Sequence, residues 1–239
     1  MRITLANARH FKRCCDCLRD VVADLTFEVS PMQLVAYALD DGVQVRATIP
    51  KGRCVEYDVP HTVRFGAATD TIARLLRTAQ TQQRVRLVLQ DTVLRFELFS
   101  QRSASRFSMQ TLDAPQPLLP VDAPEPPLAT CQVRVDHLRT LLRDLRHVGE
   151  KIAAELQDGA LILYGKSDST DGEVVTSELE RCEGDGCFGV YPLGPLQHFL
   201  KAQHIAPLVT LEFVTQGLHV TLFGDITLTL KLHELGGAL

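Results

Sequence analysis

The sequence predicts an α+β protein of two similar domains, each a curved antiparallel sheet with two helices packed on one face. Three observations carry this: an internal repeat, a proline-rich segment at mid-chain, and helical patterns set among alternating strand patterns in each half. The repeat shows as a shared offset. Leu18-Arg19-Asp20 recurs as Leu142-Arg143-Asp144, and Leu76-Arg77 recurs as Leu200-Lys201, both 124 residues later. Val85, Leu87 and Leu89 match Val209, Leu211 and Phe213 in that register, and Leu94, Phe96 and Leu98 match Leu218, Val220 and Leu222. Leu39-Asp40-Asp41-Gly42 and Leu156-Gln157-Asp158-Gly159 read as equivalent but off that offset, so the second half is expected to be shorter in its first loop.

Residues 113–130 hold six of the 12 prolines. Proline lacks an amide donor and fixes φ, which excludes a helix interior or a central strand. The segment reads as an extended, stiff connector. The expected organisation is an N-terminal domain over 1–112, the connector over 113–130, and a C-terminal domain over 131–239.

Apolar stripes at 3.6-residue spacing predict four helices. They run near Arg9 to Val22, Asp70 to Gln80, Asp136 to Val148, and Pro195 to Gln203. Strand patterns lie between them at Val85–Leu89, Val93–Leu98, Ala160–Tyr164 and Ile226–Leu230. Gln90-Asp91-Thr92, Gln157-Asp158-Gly159 and Phe223-Gly224-Asp225 read as hairpin turns.

Composition excludes several classes. The chain has 239 residues, 45% hydrophobic, with a formal net charge of −4. Hydrophobic content is too high for a disordered chain, and no apolar run approaches the length of a membrane span. The first residues lack a signal peptide's apolar core. Seven cysteines in a chain of this size argue against a disulfide framework. Cys14, Cys15 and Cys17 point in different directions around a helix, and Cys182 and Cys187 lack companion ligands, so no metal or other cofactor is expected. There is no glycine-rich phosphate loop, no His-Glu-x-x-His and no G-x-S-x-G, so the chain is not expected to be an enzyme.

The mild acidity counts against a nucleic-acid binder, until it is divided by element. The four helical segments carry ten basic residues, Arg9, Lys12, Arg13, Arg19, Arg74, Arg77, Arg139, Arg143, Arg146 and Lys201, against five acids. They sum to +5 and leave −9 for the rest of the chain. A positive surface in a negative protein draws phosphates to one place and limits indiscriminate binding elsewhere. No aromatic is interleaved with these residues, so stacking on single strands is not indicated. The pattern points to sequence-independent contact with a duplex backbone. Lys12, Arg13, Arg19, Arg74, Arg77, Arg139, Arg143, Arg146 and Lys201 are the expected phosphate contacts.

Two repeated α+β halves, an extended connector and four basic-faced helices together resemble the DNA sliding clamps. Leu142-Leu-Arg-Asp-Leu-Arg-His-Val-Gly149 and Leu39-Asp40-Asp41 are similar to segments of proliferating cell nuclear antigen (PCNA). Ser30-Pro31-Met32-Gln33-Leu34, the segments 76–80 and 85–89, Leu196–Pro207 and Asp225–Leu230 look more like the Hus-one subunit of the heterotrimeric nine-one-one checkpoint clamp. The resemblance implies a non-catalytic ring subunit that encircles double-stranded DNA and recruits partners in DNA-damage checkpoint signalling and repair. The alternative is a homotrimeric or viral replicative clamp, a polymerase processivity factor. Implied partners are two other clamp subunits, as a heterotrimer first and a homotrimer second, with a clamp loader, polymerases and repair proteins. No membrane role is expected, and the expected location is nuclear, with the chain also cytoplasmic before assembly.

Subunits would join through edge strands, one carrying Ser105, Phe107, Met109 and Thr111, the other Val174, Thr176 and Glu178. A partner-peptide pocket, if present, would be lined by Leu39, Val43, Val45, Leu118, Leu119 and Leu230. Two rivals stand beside this reading. One is an interaction scaffold without a DNA role. The other is a metal-dependent nuclease using the acidic turns at Asp40-Asp41, Asp168 with Asp171, and Glu183 with Asp185.

Overall fold

The computed structural model describes residues 1–40, 42–114, 126–167, 169–215 and 217–235. They fall in two compact units. The first comprises Met1–Leu39, Val45–Leu119 and Gly224–Leu228; the second comprises Asp40–Gln44, Pro120–Phe223 and Thr229–Leu239.

Eleven elements run in the same order through each half of the chain. The first half has β1 (Arg2–Leu5), α1 (Ala8–Arg19), β2 (Asp24–Val29), β3 (Gln33–Asp40), β4 (Val43–Pro50), β5 (Cys54–Asp58), β6 (Val63–Ala68), α2 (Thr69–Leu75), β7 (Arg84–Gln90), β8 (Val93–Phe99) and β9 (Ala104–Gln110). The second has β10 (Ala129–Arg134), α3 (Val135–Leu145), β11 (Lys151–Gln157), β12 (Ala160–Lys166), β13 (Asp171–Thr176), β14 (Arg181–Glu183), β15 (Cys187–Pro192), α4 (Leu193–Phe199), β16 (Leu208–Val214), β17 (Gly217–Leu222) and β18 (Thr227–His233). The first half orders its strands as β5-β1-β7-β8-β9 and β4-β3-β2-β6; the second as β14-β10-β16-β17-β18 and β13-β12-β11-β15. The register between neighbours is antiparallel throughout each set where it is resolved.

Alternation builds these strands. In β8, Leu94, Phe96 and Leu98 are buried while the residues between them are partly exposed, as a period of two requires. The Gln157–Gly159 turn closes β11 on β12 with Asp158 and Gly159 at φ 50° and 73°, the left-handed pair that suits a tight hairpin.

The helices start by one device. The first N–H groups of a helix have no intrahelical partner. Here the Ala8 amide donates to the Gln83 carbonyl at 2.8 Å, Thr69 to Ala23 at 2.9 Å, Val135 to Pro207 at 3.0 Å, and Leu193 to Glu150 at 2.9 Å. In α1 the Asn7 side chain also accepts from the His10 amide at 3.1 Å, a side-chain cap.

These contacts and the strand registers correct the repeat. The 124-residue offset holds from β6 through β8, where α2 matches α4 and the β7–β8 pairing matches β16–β17. Through α1, β2 and β3 the structural offset is 127: buried Ala8, Phe11, Cys14, Cys15 and Leu18 in α1 correspond to Val135, Leu138, Leu141, Leu142 and Leu145 in α3. The match of Leu18-Arg19-Asp20 to Leu142-Arg143-Asp144 is therefore almost one helical turn out of place. An amphipathic helix shifted by three residues still superposes apolar on apolar, so sequence spacing alone could not reject it. The Leu39–Gly42 and Leu156–Gly159 equivalence also fails. Asp158-Gly159 joins β11 to β12, whereas Leu39 and Asp40 end β3 before β4. The second half is three residues shorter between β12 and β15, not in its first loop.

Candidate nucleic-acid interface

Each helix pair frames a shallow depression. In the first unit Arg9, Lys12, Arg13, Asp16, Arg77, Gln80 and Thr81 surround a volume of about 640 Å³. In the second, Asp136, Arg139, Arg143, Arg146, Gln197, Lys201 and Gln203 surround about 420 Å³. Each therefore presents four basic side chains and one carboxylate. In the corrected registers Lys12 corresponds to Arg139 and Arg77 to Lys201, so the repeat places cations at two matching positions.

Local turns aim these residues. α2 ends at Leu75 rather than near residue 80, and the Arg77 amide closes a tighter turn on the Arg74 carbonyl at 3.2 Å. Arg146 caps α3 in the same way, its amide donating to the Arg143 carbonyl at 3.2 Å. Lys201 stands on a 3-10 turn after α4, its Nζ 2.8 Å from His198 Nδ1. The C-terminal ends of helices carry partial negative charge, which favours cations there.

The depressions differ in internal pairing. Lys12 pairs with Asp16, and Arg139 donates to the Gln203 side chain. Arg13, Arg77 and Arg146 have no ion-pair partner among the described residues. Partial burial and the neighbouring Arg9 both lower the Arg13 pKa, burial more. The Asp136 carboxyl accepts two bonds from Arg134 at 3.2 Å, which chiefly holds its pKa below the usual carboxylate range. Such surfaces suit phosphate oxygens. They contain no aromatic ring for a base to stack on.

Of the nine expected phosphate contacts, Lys12, Arg13 and Arg77 converge in one unit, and Arg139, Arg143, Arg146 and Lys201 in the other. Arg19 and Arg74 stand apart, each paired with a nearby acid, Asp20 at 3.2 Å and Asp70 at 3.1 Å. Arg9 and the amides of Gln80, Gln197 and Gln203 join the site without having been expected there. Arg9 donates to Thr81 at 3.1 Å, a contact 72 residues apart that no local pattern signals.

The expected pocket residues are placed differently. Val45 and Leu230 are 0% exposed and Val43 is buried. They are core side chains of their strands, packed inward by alternation, and are corrected as such. Leu39 is exposed. Leu118 and Leu119 lie outside the described residues.

The expected interface residues fall on β9 and β13, and both strands are terminal in their sets. Ser105, Phe107 and Met109 lie on β9 and Val174 on β13. Three placements need correction. Thr111 lies past the end of β9, where its amide and hydroxyl both donate to the Thr92 carbonyl. Thr176 ends β13 with its side chain buried, its Oγ1 2.8 Å from His137 Nε2. Glu178 has left the strand, its amide donating to Thr176 Oγ1.

The acidic turns have structural duties. Asp185 accepts from the Asp158 amide at 2.8 Å, and Glu183 pairs with Arg181. Asp41 and Asp168 lie outside the described residues. Among the described residues no group of three metal-ligating side chains converges. Cys14, Cys15 and Cys17 are buried on α1 as thiols rather than disulfides.

Two units of one element order, antiparallel sheets, and a helix pair with a basic depression in each define the fold of the PCNA-like DNA sliding clamps. The comparisons support that superfamily. Residues 1–116 match the family model "Proliferating cell nuclear antigen, N-terminal domain". A DNA polymerase sliding clamp of Thermofilum pendens is 24% identical over 90% of both chains. DNA polymerase sliding clamp 1 of Sulfurisphaera ohwakuensis is 30% identical over 36% of each. Among solved structures, PCNA of Entamoeba histolytica superposes with a TM-score of 0.87 at 17% identity, covering 98% of both chains. A chain of the PCNA2–PCNA3 complex of Sulfolobus tokodaii does so with a TM-score of 0.88 at 17% identity, over 98% of this chain and 99% of that one.

Proposed function

We propose that this chain is a non-catalytic subunit of a ring-shaped clamp that encircles duplex DNA without reading its sequence. The observation that carries the reading is the repeated basic depression, Lys12 with Arg77 in one unit and Arg139 with Lys201 in the other. Cations kept at both places offer phosphate contacts, which position a duplex without specifying bases. The matched relatives are named as DNA polymerase sliding clamps, which supports a processivity role. The checkpoint role rests on the likeness of segments such as Ser30–Leu34 and Leu196–Pro207 to the Hus-one subunit. A clamp loader, polymerases, repair proteins and nuclear residence accompany that resemblance.

The terminal strands β9 and β13 supply unpaired backbone for joining subunits. They differ in sequence, so one edge meets the other head to tail. A solved relative is itself a complex of two different clamp proteins, which favours unlike subunits.

Light scattering of the purified chain tests assembly. A self-made ring gives about three times 26.5 kDa; a chain that enters a ring only with two unlike clamp proteins stays at the mass of one. Joint substitution of Arg77, Arg143 and Arg146 by Glu is expected to abolish DNA association while leaving assembly intact. DNA association that survives that substitution overturns the proposal.

A further inference from the structure

The two units differ at one corresponding place. In the first, Glu28 on β2 faces Arg64 on β6, and the chain pairs them at 3.4 Å between Arg64 Nε and Glu28 Oε2. Arg64 also donates to the Tyr37 hydroxyl at 2.8 Å. The strand registers map this trio onto Glu155, Phe188 and Tyr164 of the second unit. Glutamate and tyrosine are kept, and the Tyr164 hydroxyl donates to Glu155 at 3.2 Å. The arginine is replaced by Phe188, which is 55% exposed.

Substituting an apolar ring for the cation leaves an acidic, partly aromatic surface. Glu155, Glu173, Asp171 and Phe188 line a depression of about 590 Å³ on the sheet face opposite α3, with Lys166 as its one basic side chain. Among the described residues none of these three carboxylates has an ion pair. Val175, on the same face of β13 as Glu173, is also exposed. A carboxylate beside an exposed phenyl ring is complementary to a guanidinium, which can donate a charge-assisted hydrogen bond and stack on a ring face at once. The chain builds this arrangement itself elsewhere. Arg86 lies 4.9 Å from the Phe99 ring centroid while its Nη1 is 3.2 Å from Glu97.

We propose that this face of the second unit docks a partner protein through an arginine flanked by apolar side chains. The incoming guanidinium occupies the place that Arg64 fills in the first unit. It bonds Glu155, stacks on Phe188, and its apolar neighbours cover Val175. This surface is separate from the basic depressions.

The probe is a fluorescein-labelled peptide, Ala-Ala-Leu-Arg-Leu-Ala-Ala, with a twin carrying citrulline in place of arginine. Anisotropy on the full chain is expected to show the arginine peptide binding at least about tenfold tighter, since only it carries the charge. Glu155→Gln and Phe188→Arg should each weaken it by about tenfold or more. Phe188→Arg supplies an internal guanidinium, so its thermal midpoint should rise, which also shows that the variant is folded. Equal binding of the two peptides, no binding of the arginine peptide at millimolar concentration, or binding that survives both substitutions overturns the proposal. Self-association of the chain that Phe188→Arg abolishes also overturns it, by making a second copy the occupant.

Discussion

The Gln197 side-chain amide donates to the Leu142 carbonyl at 2.8 Å. Leu142 lies in the last turn of α3, where carbonyls lack intrahelical donors, and Gln197 lies on α4. One long-range bond thus satisfies an orphan acceptor and ties together the two helices that frame the second basic depression. Gln197→Ala is expected to lower unfolding free energy by about 1 kcal/mol, read by denaturant unfolding. It should also weaken DNA association without removing any charge.

Arg77 and Arg146 are exposed and lack internal ion pairs among the described residues. Arg77→Gln and Arg146→Gln should therefore leave stability within about 0.5 kcal/mol. Each substitution removes one cation from the phosphate surface, which should reduce the slope of log K against log salt by about 0.9. Titrating duplex DNA at several salt concentrations checks this. Unchanged slopes in both variants would remove them from the interface. Arg74→Gln, whose charge is already paired with Asp70, should have the smaller effect.

Gly149 leads into β11 against the end of β12. A Cβ there would lie 2.5 Å from the Lys166 carbonyl oxygen. The obstacle is backbone and cannot rotate away, so Gly149→Ala should cost about 1–3 kcal/mol. Thermal unfolding measures it. Gly159→Ala meets no neighbouring atom, but its φ of 73° makes a side chain strained for a different reason.

Cys131 is enclosed on β10, and burial raises its thiol from 9.0 to about 12. Burial pushes Cys15 up as well. A raised acid pKa in the folded state means that the folded chain holds its proton more tightly. That contribution to stability is complete below pH 9 and is lost as pH rises from 9 towards 12. Unfolding free energy should fall there by up to about 1.4 kcal/mol per pH unit for each such thiol. Denaturant unfolding at pH 8, 9, 10 and 11 follows it, and Cys131→Ala should flatten the slope. At neutral pH these buried thiols should resist alkylation, while the half-buried Cys54, Cys182 and Cys187 react first.

Much of the fold is legible in the chain. Periodicity marks α1 through Phe11, Cys14, Cys15 and Leu18, and β8 through Leu94, Phe96 and Leu98. Each buries one face, and burial of one face writes a period into sequence. Helix ends are less legible. α2 and α3 stop sooner than their apolar stripes, because Leu76 and Val148 pack from turns that keep the same facing. The repeat is visible, with its register right from α2 into β8 and wrong by three residues at α1, since helical periodicity repeats nearly every three to four residues.

The candidate site divides in the same way. The segregation of ten basic residues onto four helical segments is a property of sequence, because charge and periodicity are both local. Convergence is not. Arg139 reaches Gln203 across 64 residues, and Arg9 reaches Thr81 across 72. The sequence by itself determined two repeated α+β halves, a proline-rich join and a basic side to every helical segment. Only the tertiary structure decided which cations gather, that Arg19 and Arg74 stand apart, that Val45 and Leu230 are core, and that Phe188 takes the place of an arginine. Strand register makes those decisions. It pairs residues far apart in the chain, and a shift of one residue would turn every side chain to the opposite face.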